Sequence, residues 1–174
     1  MAGQRNKIII IDDVELNRTI LGEAFSKKYE VLEAQDGAEG LEKIFANEDE
    51  LAAIFLDIIM PEMDGFSVLQ ELELKNVMRK IPLFIITTET TDYVVEKAYN
   101  YGVIDVIQKP FNLLIIERRV ANIIELFENR SHIAQHVAEK QNAVKNAIET
   151  TNATTEKYKK ALDDIAKIMN ETSK

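Results

Sequence analysis

The chain has 174 residues, 46% of them hydrophobic, and no cysteine, so we expect a packed core and exclude disulfides and thiolate metal sites. The net charge of -9 is uneven: residues 1–116 hold 11 basic against 21 acidic side chains, and residues 117–174 hold 10 against 9. Without a basic patch, without an apolar signal peptide and without a membrane-length apolar run, the sequence predicts a cytoplasmic protein that binds neither nucleic acid nor membrane.

Strand and helix patterns alternate along the first two thirds of the chain. Short apolar, β-branched runs predict strands at 7–11, 30–34, 51–56, 81–86 and 103–108. Amphipathic stretches predict helices at 14–26, 37–46, 66–74 and 93–101, and another from Leu113 onward. Asp36 with Glu39 is typical of a helix start, Gly102 of a helix stop, and Asn112 of a cap for the last helix. This alternation indicates an α/β fold built from right-handed βαβ units.

Polar residues follow four of these strands directly. Asp12 and Asp13 end the first strand, Asp57 ends the third, Thr87 and Thr88 end the fourth, and Lys109 ends the fifth. Because parallel strands place their carboxyl ends at one edge of a sheet, we expect these side chains to converge there.

Three neighbouring carboxylates repel one another, and a hard cation such as Mg²⁺ relieves that repulsion. A carboxylate beside Mg²⁺ can attack phosphorus and become an acyl phosphate. We therefore assign Asp57 as the nucleophile, Lys109 as a positive charge for the phosphoryl oxygens, and Thr87 as a hydroxyl donor.

The same residues resemble the receiver domains of two-component response regulators. The resemblance rests on Asp12-Asp13, on Asp57 with Met60-Pro61 and Asp64-Gly65, on Thr87, and on Lys109-Pro110-Phe111, and it covers about residues 5 to 128. It implies a doubly wound, flavodoxin-like parallel sheet in the order 2-1-3-4-5. It also implies a cis peptide bond before Pro110 and metal binding by Asp12, Asp13, Asp57 and the backbone carbonyl of Ile59, with Asp12 acting mostly through water.

The implied function is a phosphorylation switch. A histidine kinase or phosphotransfer protein would donate the phosphoryl group to Asp57, and the chain would catalyse only its own phosphorylation and dephosphorylation. Residues 1–128 would form the receiver domain and residues 129–174 a helical extension or linker. We expect the chain to be either a fragment of a longer regulator with an output domain outside it, which is the favoured interpretation, or a single-domain protein that acts by contact.

The sequence departs from the family pattern at two positions, and a third feature bears on the lifetime of the phosphorylated state. Receivers usually carry Tyr or Phe three residues before the lysine, where this chain has Val106, so the route of the conformational signal is open. Thr88 replaces a small residue and is expected to narrow access to the pocket. Ile59 and Glu89 border the path of the hydrolytic water in the family, and because Ile59 cannot orient water, we expect a persistent phosphorylated state.

The C-terminal tail carries an apolar pattern with spacings of three and four residues. From Val120 to Met169, eleven of the fifteen positions in this pattern are apolar, which indicates a helix that packs on a partner helix. The simplest partner is a second copy. Residues 150–155, with four threonines and an asparagine, predict a bend into two shorter helices, and a helical hairpin is the competing geometry.

Alternative interpretations exist for most of these residues. Asp12 and Asp13 could form a solvated turn in which Asp13 caps the first helix. Asp57 could be a turn residue before Pro61, Thr87 an ordinary hydroxyl at a strand end, and Lys109 a surface lysine before a turn. Asp64-Gly65 is interpreted as structural, with Gly65 in a conformation closed to other residues. His132 and His136, four residues apart on a helix, could chelate a metal or accept phosphate, but they are interpreted as solvated helix residues.

Other functions are compatible with parts of the sequence. The main alternative is a scaffold or dimerisation module that has a receiver fold but does not switch. A dehalogenase-like phosphatase is disfavoured because Asp57-Ile58-Ile59 lacks the Asp-x-Asp motif, and a flavodoxin because no phosphate-binding loop follows the first strand.

Overall fold

A parallel β-sheet forms the centre of the part of the chain that ends at Asn129. The computed structural model describes residues 5–172, and in the last helix it leaves out the side chains at 167 and 170–172. The strands are β1 (Lys7–Ile11), β2 (Glu30–Ala34), β3 (Leu51–Leu56), β4 (Leu83–Thr87) and β5 (Asp105–Gln108). The helices are α1 (Glu15–Phe25), α2 (Gly37–Ala46), α3 (Gly65–Leu74), α4 (Asp92–Asn100) and α5 (Leu113–Thr172), with a 3₁₀ turn at Val77–Arg79. The strand order β2-β1-β3-β4-β5 confirms the predicted doubly wound α/β fold with an extended C-terminal helix.

Both faces of the sheet are buried, which is why its central strands are apolar without interruption. Successive residues of β1 alternate between two cores: Ile9 and Ile11 pack beneath α2, α3 and α4, whereas Ile8 and Ile10 pack beneath α1 and the first turns of α5. All six residues of β3 are buried. Two layers of helices around a parallel sheet therefore follow from strands that are apolar on both sides.

Helix ends agree with most of the predicted signals. The Asp36 carboxylate accepts a hydrogen bond from the Glu39 N–H at 2.8 Å, and Glu39 in turn accepts from the Gln35 N–H. Gly102 has a φ of 88° and follows α4, which confirms it as a helix stop. Strand β4 begins at residue 83 rather than at 81, because Pro82 has no N–H to donate to the sheet.

The predicted bend at residues 150–155 is wrong, since α5 runs through this segment as helix. Thr150, Thr151, Thr154 and Thr155 each donate a hydroxyl hydrogen bond to the carbonyl four residues earlier, at 2.8–2.9 Å. These bonds use helical geometry, so the hydroxyls do not compete with the helix for backbone groups.

The chain divides into two compact units at Asn129/Arg130. The first holds the sheet with its surrounding helices, and the second is helical. Within the described residues, no helix combines the length and the apolar character that a membrane crossing requires.

Candidate functional site

The carboxyl edge of the sheet holds the residues that follow the strands, and backbone hydrogen bonds fix them there. The Asp57 N–H donates to the Ile11 carbonyl at 2.9 Å, and the Asp12 N–H donates to the Ala34 carbonyl at 3.1 Å. The Lys109 N–H donates to the Thr87 carbonyl at 2.9 Å. A hydrogen bond to the neighbouring strand therefore fixes the backbone of each of these residues at the point where its loop begins.

Three carboxylates meet at this edge. One potential ligand atom from each of Asp12, Asp13 and Asp57 lies within 4.8 Å of the other two. Asp12 and Asp57 are buried and Asp13 is exposed, so the cluster opens to solvent on one side. Clustered carboxylate oxygens are the donors that Mg²⁺ prefers, and the donor set therefore fits this ion.

Lys109 connects two of the three acids. Its ammonium nitrogen lies 2.6 Å from Asp12 Oδ2 and also forms an ion pair with Asp57 Oδ2. Burial by itself would lower the pKa of Lys109, but the hydrogen bonds and charges of the two aspartates outweigh it and raise this pKa above its ordinary value. The lysine is therefore charged at neutral pH and compensates two buried carboxylates.

Asp57 and Ile59 are linked through the loop that follows β3. The Ile59 N–H donates to Asp57 Oδ1 at 3.1 Å, which fixes the orientation of the carboxylate. Among the described residues, no donor reaches the Ile59 carbonyl oxygen. This oxygen is accordingly available to a ligand, while the Ile59 side chain is 50% exposed.

Thr87 lies at the end of β4 and is fully buried. Its hydroxyl oxygen accepts a hydrogen bond from the Glu89 N–H at 3.2 Å, and no hydrogen bond joins it to Asp57 within the described residues. The structure therefore brings the three acids and Lys109 together but leaves the Thr87 hydroxyl engaged with its own loop.

A cavity of about 550 Å³ opens beside Asp57. Its lining combines the charged groups with apolar side chains from α1 and from the loops after β3 and β5: Asp13, Val14, Asn17, Ile20, Asp57, Ile59, Thr88, Lys109, Pro110 and Phe111. Thr88 lies on this lining. The Lys109–Pro110 peptide bond is cis, which confirms that prediction.

Asn17 is a site residue that the sequence analysis missed. Its side-chain amide donates to Asp12 Oδ1 at 3.0 Å, and the Val14 N–H donates to the same oxygen at 2.9 Å. Asp12, not Asp13, thus accepts the hydrogen bonds at the start of α1, whose N-cap residue Val14 has no side-chain cap. A polar residue in the first turn of a helix that follows two acids is the signal that could have identified Asn17.

Three other residues noted in the sequence, Val106, His132 and His136, do not belong to the cluster of acids and Lys109. Val106 is half-buried and packs against the core beneath α2, α3 and α4. His132 and His136 are exposed on α5, and His136 Nδ1 lies 3.6 Å from a Glu139 carboxylate oxygen.

Gly65 needs a different explanation from the one predicted. Its φ is not positive; instead, an added Cβ would lie 2.4 Å from the Asp57 carbonyl oxygen and 2.8 Å from the Ile58 Cα. Close approach of the two backbones, rather than an unusual conformation, therefore requires glycine there. Asp64 caps α3, because its carboxylate accepts from the Ser67 N–H at 2.7 Å.

The sequence matches the family model described as "Response regulator receiver domain" over residues 8–121. Chemotaxis protein CheY1 of Helicobacter pylori (strain J99) is 34% identical over 120 residues, which cover 68% of this chain and 96% of the relative. Alkaline phosphatase synthesis transcriptional regulatory protein PhoP of Bacillus subtilis is 30% identical over 137 residues, or 78% of this chain and 54% of the relative.

Solved structures of similar fold agree with these matches. A two-component response regulator from Clostridium difficile has a TM-score of 0.62 and 30% identity, and the match covers 69% of this chain and 96% of that one. CheY from Borrelia burgdorferi, solved in a CheX–CheY–BeF₃–Mg²⁺ complex, has a TM-score of 0.62 at 24% identity and covers 70% of this chain and 90% of that one.

The relatives differ widely in length. The chain spans 8% of the hybrid signal transduction histidine kinase D of Dictyostelium discoideum, which is 30% identical over 131 residues, or 75% of this chain. The match to the family model covers most of the chain, and the sheet order and the strand-end residues agree with it. This chain belongs to the receiver domain family of two-component response regulators.

Proposed function

We propose that this receiver domain accepts a phosphoryl group on Asp57 in a reaction that depends on Mg²⁺. The observation that carries the proposal is the position of the Asp57 carboxylate, which lies with two other carboxylates and the Lys109 ammonium at one solvent-accessible edge. A lone surface aspartate would lack both the cation and the metal-binding partners that phosphoryl transfer requires.

Asp13, Asp57 and the Ile59 carbonyl would hold the metal ion, and Asp12 would act on it mostly through water. The bound ion would supply charge neutralisation for the incoming phosphoryl oxygens. Asp12 is already engaged with Lys109 and with two donors at the start of α1, the Val14 N–H and the Asn17 amide, which supports an indirect role for this carboxylate.

In the transfer step, a carboxylate oxygen of Asp57 forms a bond to phosphorus while the bond from phosphorus to the donor's leaving atom breaks. The bonding electrons leave with that atom, which in a histidine kinase or phosphotransfer protein is an imidazole nitrogen. Asp57 Oδ1 accepts a hydrogen bond from the Ile59 N–H, and Asp57 Oδ2 forms an ion pair with Lys109. The oxygen that attacks phosphorus must therefore weaken its own contact. Lys109 then faces the phosphoryl oxygens instead of a bare carboxylate.

The Thr87 hydroxyl would complete the phosphorylated state. Its oxygen accepts from Glu89, so its own proton is free to be donated to a phosphoryl oxygen once the end of β4 moves towards Asp57. Such a contact exists only in the phosphorylated state, and it would shift a pre-existing equilibrium between conformers. The helical C-terminal unit, and any output domain beyond it, would report the change.

A scaffold that does not switch is the second candidate, and Val106 favours it. Without an aromatic ring at this half-buried position, the usual partner for a moving threonine is missing. Treatment of the full chain with beryllofluoride and Mg²⁺, followed by sedimentation velocity, separates the two candidates. A switch changes its sedimentation or its association state on treatment, whereas a passive scaffold does not.

Intact-mass spectrometry tests the phosphoacceptor directly. The wild-type chain, incubated with a small-molecule phosphoryl donor such as acetyl phosphate and Mg²⁺, should gain the mass of one phosphoryl group. The Asp57→Asn variant should gain nothing, and chelation of Mg²⁺ should suppress the gain in the wild type. A wild type whose mass does not change, or a variant that gains as much as the wild type, contradicts the proposal.

A further inference from the structure

The second unit of the chain exposes an apolar stripe, which we call the tail stripe: Val137, Val144, Ile148, Tyr158, Leu162 and Ile165. These side chains are 49–69% exposed, and their spacing is that of the a and d positions of a coiled coil. The stripe crosses a shallow groove lined by Val137, Val144 and Ile148 together with Lys140 and Lys145. Exposed apolar side chains repeated along one face of a helix favour association with another helix.

The polar residues that interrupt the tail stripe are compatible with burial. Thr151 donates its hydroxyl hydrogen to the Ala147 carbonyl at 2.8 Å, and Thr155 donates to the Thr151 carbonyl at 2.9 Å. Because both donors are satisfied within the helix, a partner can cover them without breaking a hydrogen bond. The side chain of Gln141, by contrast, has no such hydrogen bond within the described part of the helix. A single polar residue at a core position of a coiled coil specifies the register of the helices and their oligomeric state.

Charges beside the tail stripe have a single sign. The flanking e and g positions between 138 and 166 contain three charged residues, all of them lysines: Lys140, Lys145 and Lys159. The acids of this segment occupy other faces, except that Glu149 also reaches the groove. All three lysines are exposed, and in the part of the chain that the structure describes none of them forms an ion pair.

A second copy of the chain complements this surface poorly. In a parallel, in-register pair, Lys140 of each copy would face Lys145 of the other, which places like charges together twice. In an antiparallel pair the flanking positions again offer no acid to either copy. Flanking charges set partner choice in coiled coils, so they disfavour the second copy that is otherwise the simplest partner.

We propose that the tail stripe binds an amphipathic partner helix that has acidic residues beside its own apolar face. Such a helix buries the apolar row and places a carboxylate opposite each of Lys140, Lys145 and Lys159. This binding does not depend on phosphorylation of Asp57. It can therefore be tested whether or not Asp57 accepts a phosphoryl group.

Two synthetic helical peptides of equal length and identical a and d residues test the proposal on the full chain. One carries Glu and the other Lys at every e and g position, and each is titrated by fluorescence anisotropy at low and at physiological salt. We expect the Glu peptide to bind at least about tenfold more tightly than the Lys peptide, and the difference to shrink as salt screens the charges. Ile148→Asp should weaken binding of both peptides, since it places a charge in the stripe.

Matched charge reversals identify the residues responsible. The double variant Lys140→Glu/Lys145→Glu should lose the preference for the Glu peptide. The control Lys157→Glu/Lys160→Glu changes the net charge by the same amount on exposed positions away from the stripe, and it should keep the preference. Circular dichroism of both variants establishes that the helix is intact.

Three results would overturn the proposal. Equal affinity for the two peptides would show that the lysines do not select the partner. An equal loss of preference in the control variant would assign the effect to net charge alone. Sedimentation equilibrium showing a dimer of the chain that is tighter than its complex with the Glu peptide would identify a second copy as the occupant.

Discussion

Gly65 illustrates how one residue can matter through the side chain that it lacks. The start of α3 packs directly on the backbone of the loop that begins at Asp57, and the Gly65 N–H donates to the Ile58 carbonyl at 2.9 Å. An added Cβ would collide with the Asp57 and Ile58 backbone, which cannot turn aside as a flexible side chain can. The geometry of Asp57 thus depends on a residue that has no chemistry of its own.

We therefore predict that Gly65→Ala lowers the free energy of unfolding by about 1–3 kcal/mol, as overpacking of a core does. Urea denaturation measures this change, and the rate of phosphorylation should fall with it because the Asp57 backbone must shift. Gly22→Ala is the control: its Cβ would lie 3.5 Å from the nearest atom, inside α1. That substitution should stabilise the protein by about 0.5–1 kcal/mol. Equal effects of the two substitutions would refute the close-approach explanation.

Ile59 gives a second prediction at the level of a single residue. Its exposed side chain lines the cavity beside Asp57. It could not form a hydrogen bond with a water molecule that approached a phosphoryl group on the proposed acceptor Asp57. Replacement by Asn supplies a donor and an acceptor at this place. We expect the Ile59→Asn variant to dephosphorylate faster than the wild type, by about tenfold if a positioned water contributes about 1.4 kcal/mol.

The decay of the phosphorylated mass with time provides the measurement for Ile59. Ile59→Val serves as the control, because it keeps an apolar, β-branched side chain and should leave the rate near that of the wild type. A decay rate in Ile59→Asn that equals the wild-type rate would show that side chains at this position do not influence hydrolysis.

At the level of the elements, the threonine-rich part of α5 shows how local hydrogen bonds maintain a helix that propensity disfavours. β-Branched threonines lose rotamer freedom in a helix, which is why the sequence predicts a bend there. Their hydroxyl bonds to the preceding turn let the backbone stay helical, but they add little stability of their own. This part of α5 should therefore be helical and comparatively weak.

Replacement of all four threonines at 150, 151, 154 and 155 by alanine should strengthen this part of the helix. Host–guest propensities give a gain of roughly 0.5 kcal/mol for each substitution. Hydrogen exchange of the amides in residues 146–160 should slow accordingly, and the amides of β3 provide the internal reference. Faster exchange in the variant would mean that the hydroxyl bonds stabilise the helix by more than the rotamer cost of threonine.

At the level of the whole molecule, the core of the first unit ends well before the chain does. Ile124 is the last core residue of α5, and the residues from 129 to 166 are exposed. The sequence predicts that the receiver domain ends at residue 128. We propose that this domain folds stably without the residues that follow it.

Truncation after Asn129 tests this proposal. The shortened chain should unfold at a midpoint within about 4 °C of the full chain, equivalent to roughly 1 kcal/mol or less, and Asp57 should still be phosphorylated. Differential scanning calorimetry and intact mass provide the two measurements. A much lower midpoint would mean that residues 130–174 contribute to the stability of the receiver unit.

The sequence by itself determined the elements and the edge at which the polar residues gather. Strands β1, β2 and β3 have the predicted bounds. The central strand β3 is buried along its whole length, so it is apolar throughout and ends at a polar residue. Placing Asp57 and Lys109 at one edge needed only the rule that parallel strands share a carboxyl end. These inferences depend on local patterns, which a single chain displays directly.

Only the tertiary structure decided which of those residues contact one another. Lys109 pairs with Asp12 across 97 residues of sequence and with Asp57 across 52. Asn17 supports Asp12, Gly65 packs on the Asp57 backbone, and the Thr87 hydroxyl faces its own loop. Strand register and helix packing set these contacts, and both depend on the whole core at once rather than on any local pattern.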